Sequence, residues 1–187
     1  MLRMKKNLRA LLPLSVLAVV TLMLGGCAQT PPIGKIVPVR AGDEMRESLR
    51  AADELYVYEG LPHQTKEKSL MESELAKSEV IRIHGYPFYL PKARAKKESE
   101  LKKLLGDPRT YGKYTGPKTC GGYHPDYAVH WMENGVPKHI LICFGCGEAL
   151  FSDGSELLPF DIRHSQMYKL RDDLLSVQRL KRPMPQQ

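Results

Sequence analysis

No stretch of the chain supplies the roughly 20 consecutive apolar residues that a membrane-spanning helix needs. The longest candidate, Leu11 to Leu24, is interrupted by Pro13, Ser15 and Thr21. Nucleophile elbow, P-loop, HExxH pair and dinucleotide fingerprint are all missing, so no motif argues for an enzyme and that question stays open. Cysteine is scarce, with four in 187 residues, and there is a single tryptophan. A large charge surplus is also missing once its source is located. Residues 1–26 hold four of the 28 basic residues and no acidic one, which leaves 24 against 21, or net +3. That is too little for a nucleic-acid-binding surface, and none is expected.

Arg3, Lys5, Lys6 and Arg9 precede the apolar run, in the order of a charged leader followed by a hydrophobic segment of signal-peptide length. The run ends in Leu24-Gly25-Gly26-Cys27. This stretch resembles the lipobox of bacterial lipoproteins: an aliphatic residue, two small ones, then cysteine. The resemblance covers the first 27 residues. It implies cleavage before Cys27, lipidation of that cysteine, and anchoring in the bacterial envelope, where each buried methylene adds about 0.8 kcal/mol of membrane affinity. Ala28 in second position implies the outer membrane, facing the periplasm or the cell surface. An ordinary secretory signal with an incidental Cys27 is the bland alternative. The expected organisation is a signal peptide over 1–26, a lipidated cysteine and linker over 27–42, one domain over 43–181, and a loose tail over 182–187. The mature domain resembles no family by its motifs.

Within that domain, helices are expected over Asp43–Ala52, Thr65–Lys77 and Lys92–Leu105, and from about Ser165 onward. In the last, Met167, Leu170, Leu174 and Val177 recur at the spacing of one buried face. Leu55–Tyr58, Val80–His84 and Glu148–Phe151 read as strands, and Thr110–Thr119 as loop with a possible edge strand. Asn134-Gly135 lies between the β-prone runs Tyr127–Trp131 and His139–Cys143 and favours the left-handed backbone of a tight turn. It predicts a central hairpin over about 127–143, pairing residues whose numbers sum to roughly 269–271, with Tyr127 opposite Cys143. The sum of these parts is an α+β domain: a small antiparallel sheet with about three helices packed on it. A parallel βαβ start is the lesser alternative.

The hairpin carries the candidate site to its open end. Cys120, His124, Cys143 and Cys146 should converge there. One reading is a structural Zn2+ centre with those four as ligands, since Cys143-Phe144-Gly145-Cys146-Gly147 has the Cys-x2-Cys spacing that grips zinc; Asp126 would orient the His124 ring. A second is a disulfide from Cys120 to Cys143 or Cys146, which leaves one of three cysteines unpaired in an oxidising compartment. A third is thiol–disulfide exchange at Cys143 and Cys146, although the following residues look like strand where redox pairs usually precede a helix. His63 and His84, each at a strand end beside turn residues, are possible additions; either could be a plain structural histidine. The leading expectation is a non-catalytic envelope protein that binds or scaffolds, tethered to the membrane at Cys27. The alternative is a redox or metal-dependent envelope enzyme using Cys143 and Cys146.

Overall fold

A computed structural model describes residues 39–178 and 181–183. The leader, the lipobox and Cys27 lie outside the described residues. Helix α1 (Val39–Ala51) leads into strand β1 (Tyr56–Glu59), helix α2 (Lys68–Lys77), the hairpin β2 (Val80–Ile83) and β3 (Tyr86–Tyr89), and the two-residue strand β4 (Ala93–Arg94). Helix α3 (Glu98–Leu105), the short β5 (Tyr111–Gly112), and strands β6 (Tyr127–Glu133), β7 (Val136–Cys143), β8 (Glu148–Ser152) and β9 (Leu157–Ile162) follow. Helix α4 (His164–Tyr168) closes the described domain, prolonged by wider, π-helical turns to Leu175 and a tighter one to Gln178.

The architecture is α+β and antiparallel, as the pattern predicts, but the sheet is not small. Seven strands run in the order β4-β1-β6-β7-β8-β9-β5, and β2 and β3 form a separate pair. Every pairing is antiparallel. Both edges of the large sheet are strands of only two residues, which leaves little ladder for another chain to join.

Asn134 (φ 51°) and Gly135 (φ 78°) form the two-residue turn of the central hairpin. Its register pairs residues summing to 269, so Tyr127 faces Ile142 and not Cys143. The difference comes from the minimal loop: Glu133 pairs directly with Val136, at the short end of the expected range.

Alternation along the strands sorts the side chains onto two faces. The first face presents Val57, Tyr127, Val129, Trp131, Ile140, Ile142, Ala149 and Phe151 to α1, α3 and α4. Met45 and Leu49 of α1, Leu101 and Leu105 of α3, and Leu170, Leu174 and Leu175 of α4 and its extension fill this core. Fully buried apolar side chains of this kind each stabilise by about 1.5–3 kcal/mol. Trp131 carries its one polar atom into it, donating Nε1–H to Ser48 Oγ of α1 at 2.9 Å. The β2–β3 hairpin covers the second face, with Ile83 and Phe88 packed on Tyr58, Ala128 and Leu141.

Three helix expectations shift. Lys92–Leu105 is helical only from Glu98, because Ala93 and Arg94 pair with Val57 and Tyr56. Within it Glu98 and Lys102 form an i,i+4 pair, at 2.7 Å. In α2, Leu70, Met71 and Leu75 are only half-buried, and Glu74 is the buried residue. Tyr89 donates its hydroxyl to Glu74 at 2.9 Å and Lys77 pairs with it at 2.7 Å. Burial alone would raise the Glu74 carboxyl, but these partners lower it below its ordinary value. The last helix buries Leu175 and Gln178 and leaves Val177 half-buried, since wider turns shift the inward face by a residue. Two domain limits move as well. The helix begins at Val39, inside the expected linker, and Arg182, placed in the loose tail, is held by two carboxylates.

Candidate functional site

The open end of the β6–β7 hairpin collects four segments: the loop from β1 into α2, the loop ahead of β6, the β7–β8 turn and Arg182. Gly60 seats the first against the second. Its N–H donates to the Asp126 carbonyl at 2.8 Å, and a Cβ there would stand 2.1 Å from the Pro125 oxygen, so only glycine fits. Asp126 N–H in turn donates to Ile142 O at 2.7 Å. His124-Pro125-Asp126 is thereby locked beside both β1 and β7.

His124 is 7% exposed and donates Nε2–H to the Leu61 carbonyl at 2.7 Å. The ring of His63 stacks on it, with centroids 4.7 Å apart and planes inclined by 26°. Burial lowers both imidazoles, and for His63 the neighbouring His124 adds to it, so both favour the neutral form near neutrality. His63 starts α2. Its Nδ1 accepts the Thr65 N–H at 3.2 Å, and its own N–H donates to Glu67 Oε2 at 2.8 Å, a reciprocal arrangement like a capping box.

The cysteines meet in the next layer. Cys120 and Cys146 form a disulfide, with Cα atoms 5.6 Å apart. Cys143 is a free thiol, 3% exposed. Its sulfur accepts the Cys146 N–H at 3.2 Å and also faces the backbone N–H of His124. Burial nevertheless pushes this thiol up to about 11, against those two donors. Thr65 donates its hydroxyl to Gly121 O at 3.2 Å and ties the Cys120 loop to the start of α2.

A charge network closes the assembly. Asp126 Oδ2 accepts the Phe144 N–H at 2.8 Å, which fixes the Cys143–Cys146 turn. Arg182 bridges Asp126 Oδ1 and Glu67 Oε2, each at 2.9 Å. Burial works to raise Glu67, but the His63 N–H and Arg182 outweigh it and the carboxyl lies below its ordinary value. Asp126 Oδ1 stands 4.0 Å from His124 Nδ1, too far for a hydrogen bond, so its firm partners are Phe144 and Arg182 and not the imidazole it was expected to orient.

Cys120, His124, Cys143, Cys146, Asp126 and His63 are therefore brought to one end of the sheet, and His84 is not. His84 bonds through Nε2 to Ser152 Oγ, on the second face beside His139. As it stands the donor set does not fit zinc. Two of the four expected ligands are bonded to each other, and His124 Nε2 gives its hydrogen to a carbonyl. Among the described residues no group of three or more His, Cys, Asp or Glu is arranged to hold a metal ion. Glu67 and Arg182 are members of the cluster that sequence reasoning missed. Glu67, four residues after His63, is readable as a capping partner; Arg182 carried no signal beyond its charge.

A cavity of about 160 Å³ lies among Met45, Glu133, Lys138, Asp153 and Leu158, toward the turn of the hairpin and away from the cysteines. It is smaller than the several hundred Å³ usual for a small-molecule pocket. Compared with known proteins, the chain matches no family model, no curated protein and no solved structure.

Proposed function

We propose that this chain is a lipid-anchored protein of the bacterial envelope, tethered through Cys27 in the outer membrane, whose domain binds or scaffolds and does not catalyse. One observation carries the non-catalytic part: at the cysteine end the reactive side chains are engaged in holding segments together. His63 holds the turn ahead of α2, His124 pins Leu61, Cys120 and Cys146 staple a loop to the hairpin, and the remaining thiol is buried with its pKa pushed up to about 11. A nucleophilic cysteine needs the opposite, an exposed sulfur with a lowered pKa. The disulfide also agrees with an oxidising compartment outside the cytoplasm.

Expression of the full-length chain in a bacterial host with an alkyne-tagged fatty acid tests the anchor. Tag incorporation and membrane sedimentation, both abolished by Cys27→Ser, support it; an untagged, freely released protein overturns it. Turnover of a dithiol substrate that is abolished by Cys143→Ser would overturn the non-catalytic reading and favour the redox enzyme.

The zinc-like centre keeps one supporting observation, the two backbone N–H groups directed at Cys143, an arrangement that suits a metal-bound thiolate. It belongs to the reduced protein, in which Cys120, His124, Cys143 and Cys146 would be the ligands. Metal analysis after anaerobic reduction with added zinc decides it: near-stoichiometric retention supports the centre, and none removes it.

A further inference from the structure

The second face of the sheet carries a row of polar rings. Across the strands, Tyr56 of β1 stands opposite His130 of β6, His130 opposite His139 of β7, and His139 opposite Ser152 of β8. His84, at the turn of the β2–β3 hairpin, bonds to the Ser152 hydroxyl and completes the row from above. His130 and His139 are 5% and 9% exposed, and His130 Nδ1 lies 3.1 Å from His139 Nε2.

In the neutral pair one of these two nitrogens carries the hydrogen and the other accepts it, so charging both rings breaks their bond. His139 Nδ1 is buried with no hydrogen-bond partner. In the protonated ring it is a buried N–H without an acceptor, beside a second imidazole.

The cations facing the row favour its neutral form. Tyr56 and Tyr58 pack on His130 with centroids 6.3 and 5.9 Å away. Lys92, its Nζ 4.3 Å from the centre of the Tyr56 ring, adds positive charge to the environment of both buried histidines, as His84 does for His139. Asp153, beside Ser152, opposes this as an anion that raises His84, and Glu54 accepts the Tyr56 hydroxyl. Burial is the largest cause that holds His130 and His139 down to about 4 each, and it lowers His84 as well.

The mechanical consequence lies in the hairpin. It rests on the apolar row Tyr58, Ala128, Leu141 and Leu150, adjacent to the histidines. Its turn residue His84 has φ 51°, a left-handed conformation that costs a non-glycine residue energy and is held here by the Ser152 bond.

We propose that the β2–β3 hairpin is an acid-released flap: protons entering the His84–His130–His139 row lift it from the second face and uncover the apolar row beneath. The sheet and the helices on its other face stay folded when this happens. The open form binds more protons than the closed one between pH about 6.5 and 4. Its population therefore grows as pH falls, by up to about tenfold per pH unit for each proton taken up.

Hydrogen exchange on the full-length chain, corrected for the intrinsic pH dependence, tests this. The Leu61 N–H held by Pro87 O and the Leu90 N–H held by Glu79 O report on the hairpin, and those of Val129 and Ile140 on the central sheet. The expected result is a steep loss of hairpin protection below pH 6 while the central amides remain protected. Ser152→Ala is expected to move that loss to higher pH, and His139→Gln to reduce its slope by about one proton. Simultaneous loss in hairpin and sheet, or hairpin protection independent of pH, would overturn the proposal without any variant being needed.

Discussion

The Cys143 sulfur accepts the backbone N–H of Cys146 at 3.2 Å, although Cys146 is already bonded to Cys120. The closest sequence pair is thus joined by a hydrogen bond and the distant pair by a covalent one. With a pKa of about 11, Cys143 is ionised to about one part in ten thousand at pH 7. Under native, non-reducing conditions a thiol reagent should modify none of Cys120, Cys143 and Cys146. Denaturation should add one reactive thiol, and reduction two more. Peptide mapping that finds Cys143 in a disulfide, or native labelling of Cys143, would contradict the pairing.

Cys120→Ser measures what the staple contributes. The bond joins residues 26 apart, and loop-closure entropy for that length gives about 3.5 kcal/mol. Urea unfolding should show a loss of that order for Cys120→Ser and for Cys146→Ser, and a similar loss on adding reductant to the wild type. The losses should not sum in the double variant, because both remove the same bond. Additive losses would mean that each cysteine acts through its own packing.

How far the sequence exposes this architecture depends on whether a feature is local. Asn134-Gly135 sets its own turn, so hairpin and register were readable to within one residue. Convergence of Cys120, His124, Cys143 and Cys146 followed from that turn, but the choice among metal, disulfide and free thiol did not, because it depends on side-chain distances. Strand β9 was hidden by Pro159, which argues against a strand; it is tolerated because β5 reaches only Asp161 and Ile162, leaving that side an edge at the proline. Arg182 and Glu67 are 115 residues apart and meet only through the tertiary fold. The histidine row was invisible for the same reason: His84 joins it across 68 residues of chain.

Ser48→Ala should destabilise more than its size suggests. Trp131 is fully buried and Ser48 Oγ accepts its indole hydrogen, so the variant leaves a buried donor without a partner, which costs about 1–3 kcal/mol. In the Trp131→Phe background that donor is gone, and Ser48→Ala should then cost little. A double-mutant cycle by urea unfolding reads the coupling. Equal costs in both backgrounds would show that the bond does not hold α1 to the sheet.

Glu148 should make the domain less stable as pH rises, against the usual behaviour of a carboxylate. It is 4% exposed on the second face, paired across strands with Asp161, and Lys118 stands 3.6 Å from its Oε1. Lys118 commits more closely to Asp161, at 2.9 Å. Burial is the largest influence, and it raises the Glu148 carboxyl above its ordinary value despite Lys118. The folded protein therefore keeps this proton at pH values where the unfolded chain has released it. Between the unfolded pKa and the higher folded one, the native state binds more protons, so stability falls as pH increases through that window. Glu148→Gln cannot titrate and preserves the shape. Relative to wild type it should be equal or slightly weaker at pH 4 and gain steadily as pH approaches 7. Unfolding free energies of both proteins at several pH values between 4 and 7 test this. A variant that loses stability most at neutral pH would mean that the Lys118 ion pair outweighs burial.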